Sequence, residues 1–338
     1  MTSTLNSDTA VLLRRAAQRA IRAPSVHNTQ PWKFVVTDAS LEIRADYSRQ
    51  LAVLDPRGRQ LMVSCGCALY NIRVAIAASG YEPLIHRFPE PGRREIVARV
   101  EVGGRRFVPG STALDIAIDQ RRTNRRAFGP HQIPSWLVTE LQIAAREEET
   151  LLFAITHPRH REAIVRLTVQ ADHFERSDPA YLAEIAAWTT DDPRRPDGVQ
   201  AASVPYAGAL ADEHERLPIR GFDVRGMGWL PASSGSNPGE TLLLLCSHDD
   251  QPRGWLRTGE ALEHVWLKLT DRGYWASPLT QVIEVRDTHD QLRNELALVA
   301  EPQLLLRVGR APETVRTPRR PAHEVIIDRR KSSGGHRH

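Results

Sequence analysis

APSVHNTQPW, residues 23–32, sets two prolines among a serine, a histidine, an asparagine, a glutamine and a tryptophan. Neither a helix nor a strand accommodates that mixture. Upstream, Asp8 to Arg22 carries Leu13, Ala16, Ala17, Ala20 and Ile21 at helical spacing, and Pro24 stops that helix by restricting Ala23. Downstream, WKFVV (32–36) predicts a strand, TDAS a turn, and LEIRADY (41–47) a second strand by alternation. The decapeptide is therefore a helix-to-strand loop with more hydrogen-bonding capacity than a connection needs.

Outward from it, GCALYNIRVAIAASGY (66–81) reads as a helix, followed by strands near 84–88 and at 96–102. GGRRFVPGST (103–112) has the Gly and Pro of a linker, and from Ser111 the chain begins again. ALDIAIDQRRTNRRAF (113–128) precedes a helix opened by Pro134, a strand at 151–157 and a helix at 161–174. Residues 178–240 are irregular, too long for a plain connection. TLLLLCS (241–247) reads as a buried strand, GEALEHVWLKLTDRGY (259–274) as a helix and PQLLLRVGR (302–310) as a last strand. The two Gly-Tyr helices align without a gap, matching Leu69 with Leu262, Ile72 with Val265 and Ile76 with Leu269. They bury the same face, as an internal repeat would.

The pattern A-P-S-x-x-N-x-Q-P-W between a first helix and a first strand resembles the nitroreductase family of FMN-binding flavoproteins. RRTNRRAF (121–128) resembles the family's Arg-rich phosphate motif, GYWASPLTQ (273–281) its loop at the flavin edge, and RVGRAPETVRTPRRPAHEVI (307–326) its C-terminal strand and basic segment. The order is permuted: the Arg motif follows the APSxxN motif instead of preceding it. This is similar to the tandem, fused-dimer Acg branch of the family. The resemblance implies an α+β fold of two nitroreductase-like domains forming an intramolecular pseudo-dimer, each a mixed or antiparallel sheet flanked by helices. The expected boundaries are 1–105, 106–330 with a lid-like insertion at about 178–235, and a disordered tail, 331–338. Each half keeps motifs that the other lacks, so one site is expected across the seam.

The resemblance also implies roles. Arg122 and Asn124 hold the FMN phosphate, with Arg319 and Arg320 meeting it from the other side; Arg126 lies near the pyrimidine edge. Pro24, Ser25, Val26 and Asn28 contact the ring system and ribityl chain, Gln30 and Trp32 brace the loop, and His27 makes a loop hydrogen bond. Backbone N–H groups near Leu279 and Thr280 face N5 in a turn made by Pro278. Trp188, Phe222, Met227 and Trp229 supply apolar cover. No side chain is assigned as catalytic, because the flavin carries the chemistry. The implied activity is an NAD(P)H oxidoreductase working by ping-pong transfer to a nitro or quinone acceptor. The residues leave open a second reading, FMN storage under a lid with little turnover.

Composition narrows the partners. The 338 residues are 41% hydrophobic and 25% charged, with net charge +4, a globular profile. The basic excess is spread along the chain rather than gathered in a stripe, which argues against nucleic acid. No uninterrupted run of about 18 apolar residues occurs, so no membrane span is expected. Cys65, Cys67 and Cys246 form neither a disulfide framework nor a zinc set, and no metal is expected. A cytoplasmic protein, complete as a monomer and served by small-molecule donor and acceptor, is the expectation.

Overall fold

The computed structural model describes residues 2–205, 217–224, 226, 228 and 239–329; Met227, Trp229 and the tail 331–338 lie outside them. The first half runs α1 (Thr2–Ala20), β1 (Trp32–Val36), β2 (Ser40–Ala45), α2 (Arg59–Ala78), β3 (Tyr81–Arg87) and β4 (Ile96–Arg105). Next come α3 (Ser111–Gln120), α4 (Ser135–Glu147), β5 (Leu151–Ala154), α5 (Pro158–Arg176) and α6 (Pro179–Ala187). The short β6 (Thr189–Thr190) and β7 (Val199–Gln200) follow, then β8 (Thr241–Ser247), α7 (Pro252–Asp271) and β9 (Trp275–Leu279). The chain ends with α8 (Gln281–Glu284), α9 (Arg286–Glu295), β10 (Glu301–Gly309), α10 (Ala322–Val325) and β11 (Ile326–Asp328).

The strands build two principal sheets, giving the α+β class expected. One is mixed, in the order β11-β1-β2-β4-β3, and the other is antiparallel, in the order β5-β8-β10-β9. The C-terminal strand does not stay with the second half: β11 pairs parallel to β1, with Phe34 opposite Ile326 and Val36 opposite Asp328.

Between the sheets lie α2 and α7. Extending the gapless alignment of the repeat sets Arg59 against Pro252 and Ala78 against Asp271, the ends of both helices. Their matched glycines meet at the crossing. A Cβ on Gly66 would collide with the Leu256 carbonyl oxygen, and one on Gly259 with the Val63 carbonyl oxygen, so only Gly lets the backbones approach this closely. A single hydrophobic core runs through the crossing, joining Trp32, Phe34 and Leu69 of the first half to Leu262, Val265 and Leu306 of the second.

Both helices begin a turn or two before the sequence suggests. Residues such as Met62, Val63 and Cys65 are buried along with the expected face, and a helix enclosed on all sides has no polar stripe to mark its start. The hydropathy expectation needs the same correction. Among the described residues α2 is long and apolar enough to cross a membrane, with mean hydropathy 1.6 over an 18-residue window, yet 89% of that window is buried within the protein. Its Ser, Gly, Asn and Arg residues interrupt a run count without lowering the average enough.

Candidate functional site

The decapeptide loop is conformationally unusual. Val26–Asn28 forms one tight turn, and His27, Asn28 and Gln30 have φ of 44°, 56° and 50°. Non-glycine residues at positive φ each cost about 1–3 kcal/mol and persist where surroundings enforce them. Here Ser25 Oγ accepts the Gln30 N–H at 2.9 Å, and Ser64 Oγ on α2 accepts the Val26 N–H at 3.1 Å. Asn28 Nδ2 donates to the Gly198 and Pro318 carbonyls at 3.1 and 3.3 Å, while its Oδ1 accepts from Arg319 Nη1 at 3.2 Å. Gln30 Nε2 donates to the Pro196 carbonyl at 2.9 Å, and Gln30 Oε1 accepts the Arg320 N–H at 2.8 Å. Much of the loop's polarity thus stitches residues 196–198 and 316–320 to the first half. Gln30 braces the loop as expected, whereas the Asn28 amide, expected at the ligand, is bonded to protein on both of its side-chain atoms. Trp32 is fully buried, as a brace would be.

Two adjoining cavities open beside the loop, sharing Pro24, Ser25, His27, Thr123 and Arg125. Counted together with the open solvent at their mouths, they span about 630 Å³ and about 750 Å³. The first is polar. Asn28, Arg122 and Arg319 face it together, with Arg22, Arg121 and Arg316. The second has apolar walls, with Val63 from α2, Leu262 and Trp266 from α7, and Phe222; Val26, Pro278, Leu279 and Thr280 also line it. The ring-cavity cover expected of Trp188 is absent: its face meets Arg49, 5.3 Å from the ring centroid.

Four of the expected residues do not line either cavity. Gln30 and Arg320 are joined to each other as described. Asn124 is fully buried, its Nδ2 donating to the Pro312 carbonyl at 2.9 Å and its Oδ1 accepting the Arg126 N–H at 3.0 Å. Arg126 stands on that same side, and Arg125 occupies the cavity wall in its place. A bridge between Thr123 and Ala276 anchors the segment. Beyond that bridge Arg125 lines both cavities, whereas Asn124 and Arg126 line neither.

The electrostatics of the polar cavity are one-sided. Arg319 donates to the Arg22, Ala23, Thr317 and Pro318 carbonyls and to Asn28, and burial, then Arg121 and Arg22, push its pKa down to about 9. Arg122 donates to the Asp119 and Arg121 carbonyls at 2.7 and 2.8 Å, and burial with Arg316 lowers its pKa. Arg125 has one long hydrogen bond, to Ser203 Oγ at 3.4 Å, and lies 4.9 Å from the Phe222 ring centroid; burial and Arg220 bring its pKa to about 10. Among the described residues none of these three pairs with a carboxylate, and the Nε atoms of Arg122 and Arg319 are buried without partners. Buried cations left in this state favour an anionic ligand. His27 does not make the expected loop bond through Nδ1, which is buried without a partner. Burial, Arg220 and Arg125 hold its pKa well below the usual value, so the ring is neutral at pH 7.

Sequence reading missed Arg125, Gln60, Ser64, Trp266, Arg220 and Gln281. Nothing local in RRTNRR singles out Arg125, and the others reach the cavities through tertiary packing alone. The opposite end of the α2–α7 pair is chemically different. There Arg73 stands where Trp266 stands in the alignment, Glu260 where Cys67 does, and Arg257 where Ser64 does. Arg73 and Arg87 both bind Glu260, the latter through two bonds of 2.7 Å. Glu148 joins them; burial opposes its ionisation, but His264 and Arg73 draw its pKa down to about 2. Arg73 and Glu148 border an open cavity at that end, which Tyr70, His264 and Lys268 also line.

Among known proteins, Mycobacterium tuberculosis Rv3131, provisionally named an NAD(P)H nitroreductase, is 34% identical over 324 residues, covering 94% of this chain and 91% of that protein. The acg protein of the same organism, with the same provisional description, is 30% identical over 333 residues, 96% of this chain and 97% of its own. The FMN-dependent nitroreductase NfnB from Mycobacterium smegmatis, solved with NADPH, is similar with TM-score 0.41 and 17% identity, covering 63% of this chain and 96% of that one. An FMN-bound nitroreductase from Desulfitobacterium hafniense gives a TM-score of 0.40 at 9% identity, over 64% and 97%. No protein-family model matches the chain.

Proposed function

Because the chain belongs to the nitroreductase family, we propose that it holds one FMN across the seam between its halves and moves two electrons from NAD(P)H to a nitro- or quinone-type acceptor. The observation that carries this reading is the trio Arg122, Arg125 and Arg319, cations without carboxylates at the mouth of an apolar cavity. A phosphate satisfies such a set through charge-assisted bonds to fixed planar forks. Asn28 orients Arg319, and the strained loop holds Pro24, Ser25 and Val26 between the two cavities. Val63, Leu262, Trp266 and Phe222 offer the flat apolar surfaces that a three-ring system needs, and Pro278, Leu279 and Thr280 border it at the end of β9.

Bound here, FMN would supply the hydride chemistry that links nicotinamide and acceptor, in two half-reactions sharing one site. His27, a weak base because burial, Arg220 and Arg125 disfavour its protonation, fits a site that needs no side-chain base. At the other end of the helix pair Arg73 and Glu260 stand where this site has Trp266 and Cys67, which favours one flavin per chain. Halves at 1–105 and 106–330 supply both sides of the seam, so a monomer suffices. The three buried, unpaired cysteines suit a reducing cytoplasm.

The test is optical. The purified protein should be yellow, and anaerobic NADPH or NADH should bleach it, with colour returning on adding a quinone. A yellow protein bleached by dithionite but indifferent to both nicotinamides would overturn the enzyme reading in favour of flavin storage. A colourless protein that takes up no FMN would overturn both.

A further inference from the structure

Behind the ring cavity lies a separate open cavity of about 1150 Å³, bordered by Asp55, Arg59, Gln60, Ile283 and Glu284. Gln60 alone lines both. On α8, Gln281 faces the ring cavity and Glu284 the open one. This wall holds an unusual set of unsatisfied groups: Gln60 Nε2, Gln281 Oε1 and Nε2, and Glu284 Oε1 are all buried without a protein partner. Gln60 is 5% exposed and Gln281 1%. Buried polar atoms in a roomy polar site take water, and these four lie between an open cavity and the place where electrons arrive.

Asp55 stands at the outer end. Its Oδ2 accepts the Leu61 N–H at 2.9 Å, and among the described residues it forms no ion pair. Arg59, beside it on α2, is committed to the Ile283 carbonyl at 2.9 Å and to Asp250 at 3.0 Å. Glu284 faces it from α8 and turns its own Oε2 to Arg220.

Resting on the function proposed above, we propose that Asp55 holds the proton consumed by the acceptor and passes it along waters ordered by Gln60, Gln281 and Glu284. Reduction of a quinone to its hydroquinone adds two electrons and two protons. The hydride, originating in NAD(P)H, brings both electrons and one proton; the second proton must reach an oxygen. Asp55 gives up its carboxyl proton to the water chain, the terminal water protonates that oxygen, and the Asp55 carboxylate is refilled from solvent in the open cavity. The environment suits the task. Burial raises the Asp55 pKa most, the Leu61 and Gln60 N–H groups and Arg59 lower it, and Glu284 raises it, leaving it at about 7. Near neutrality the group can both hold and release a proton.

The experiment reads two signals. Infrared spectra of the flavin-free protein across pH should show a protonated carboxyl titrating near pH 7 that Asp55→Asn abolishes. With FMN bound and photoreduced, so that no nicotinamide is needed, stopped-flow reoxidation by a quinone should slow in wild type as pH rises through about 7. Asp55→Asn should be slower by about tenfold or more below pH 7 and flat with pH, while its rate of reduction by NADPH is unchanged. Gln60→Leu, which interrupts the waters and keeps the acid, should slow reoxidation and leave the carboxyl titration intact. Wild-type rates and pH profile in both variants, or an infrared titration indifferent to Asp55→Asn, overturn the proposal. A protein that binds FMN but ignores NAD(P)H ends the function proposed above and leaves this test standing; one that binds no FMN ends both.

Discussion

Replacing Arg125 by Met separates what the guanidinium does for the empty protein from what it does for the ligand. Its pKa falls from 12.5 to about 10, so holding it charged at pH 7 costs about 3 kcal/mol. The single contact to Ser203 at 3.4 Å and the Phe222 face recover little of that, about 0.5–1 kcal/mol for the latter. Met keeps most of the side-chain volume and removes the charge. The flavin-free variant should therefore be more stable than wild type, by about 1–2 kcal/mol in denaturant titration once the lost aromatic contact is deducted. FMN binding should move the other way, losing about 1.5–3 kcal/mol, roughly ten- to 150-fold in Kd, read from quenching of flavin fluorescence. Opposite signs in the two assays are the signature of a cation placed for an anion. A variant less stable without flavin, with FMN affinity unchanged, would refute the reasoning.

Arg122→Ala should weaken FMN retention by about 1.5–3 kcal/mol, measured by flavin released on dialysis. Gly66→Val should destabilise the protein by about 3 kcal/mol or more in denaturant titration, because its side chain meets the Leu256 carbonyl and the Gly259 backbone. Burial, opposed by Arg220 and reinforced by Glu284, raises the Glu175 pKa from 4.5 to about 8. The folded state therefore binds that proton more tightly than the unfolded one, and stability from this group falls as pH rises from about 4.5 to about 8. Thermal unfolding across that window should lose this slope in Glu175→Gln. Glu148, with its pKa near 2, acts in the opposite direction: its contribution is present above pH 4.5 and is lost as pH falls toward about 2.

The sequence shows most where chemistry is concentrated in a short stretch. APSVHNTQPW cannot be a regular element, and RRTNRR is a dense cationic run; both lie at the cavities. The gapless match of two Gly-Tyr helices anticipates the crossing, because a close backbone approach leaves Gly as its trace in both copies. Exact facing is less legible. Arg125 and Arg126 are chemically identical neighbours, and nothing local in the sequence tells which one faces the cavities. Gln60, Trp266, Arg220 and Gln281 come from elements far apart in the chain and leave no local pattern. The pairing of β11 with β1 is equally hidden, since Ile326–Asp328 is too short to declare its partner. Within the irregular stretch after residue 178, α6 went unread because it occupies only Pro179–Ala187.

The strand that completes the first sheet is made long after the strand it pairs with. At about 5–20 residues per second, roughly 15–60 s separate translation of Val36 from that of Asp328. Throughout that interval one edge of β1 lacks its neighbour, a row of backbone groups open to misassociation. Arg316 and Arg319 arrive on the same late segment, so the newborn first half lacks that wall of the polar cavity. Shortening the chain before Ile326 therefore injures the half that was synthesised first.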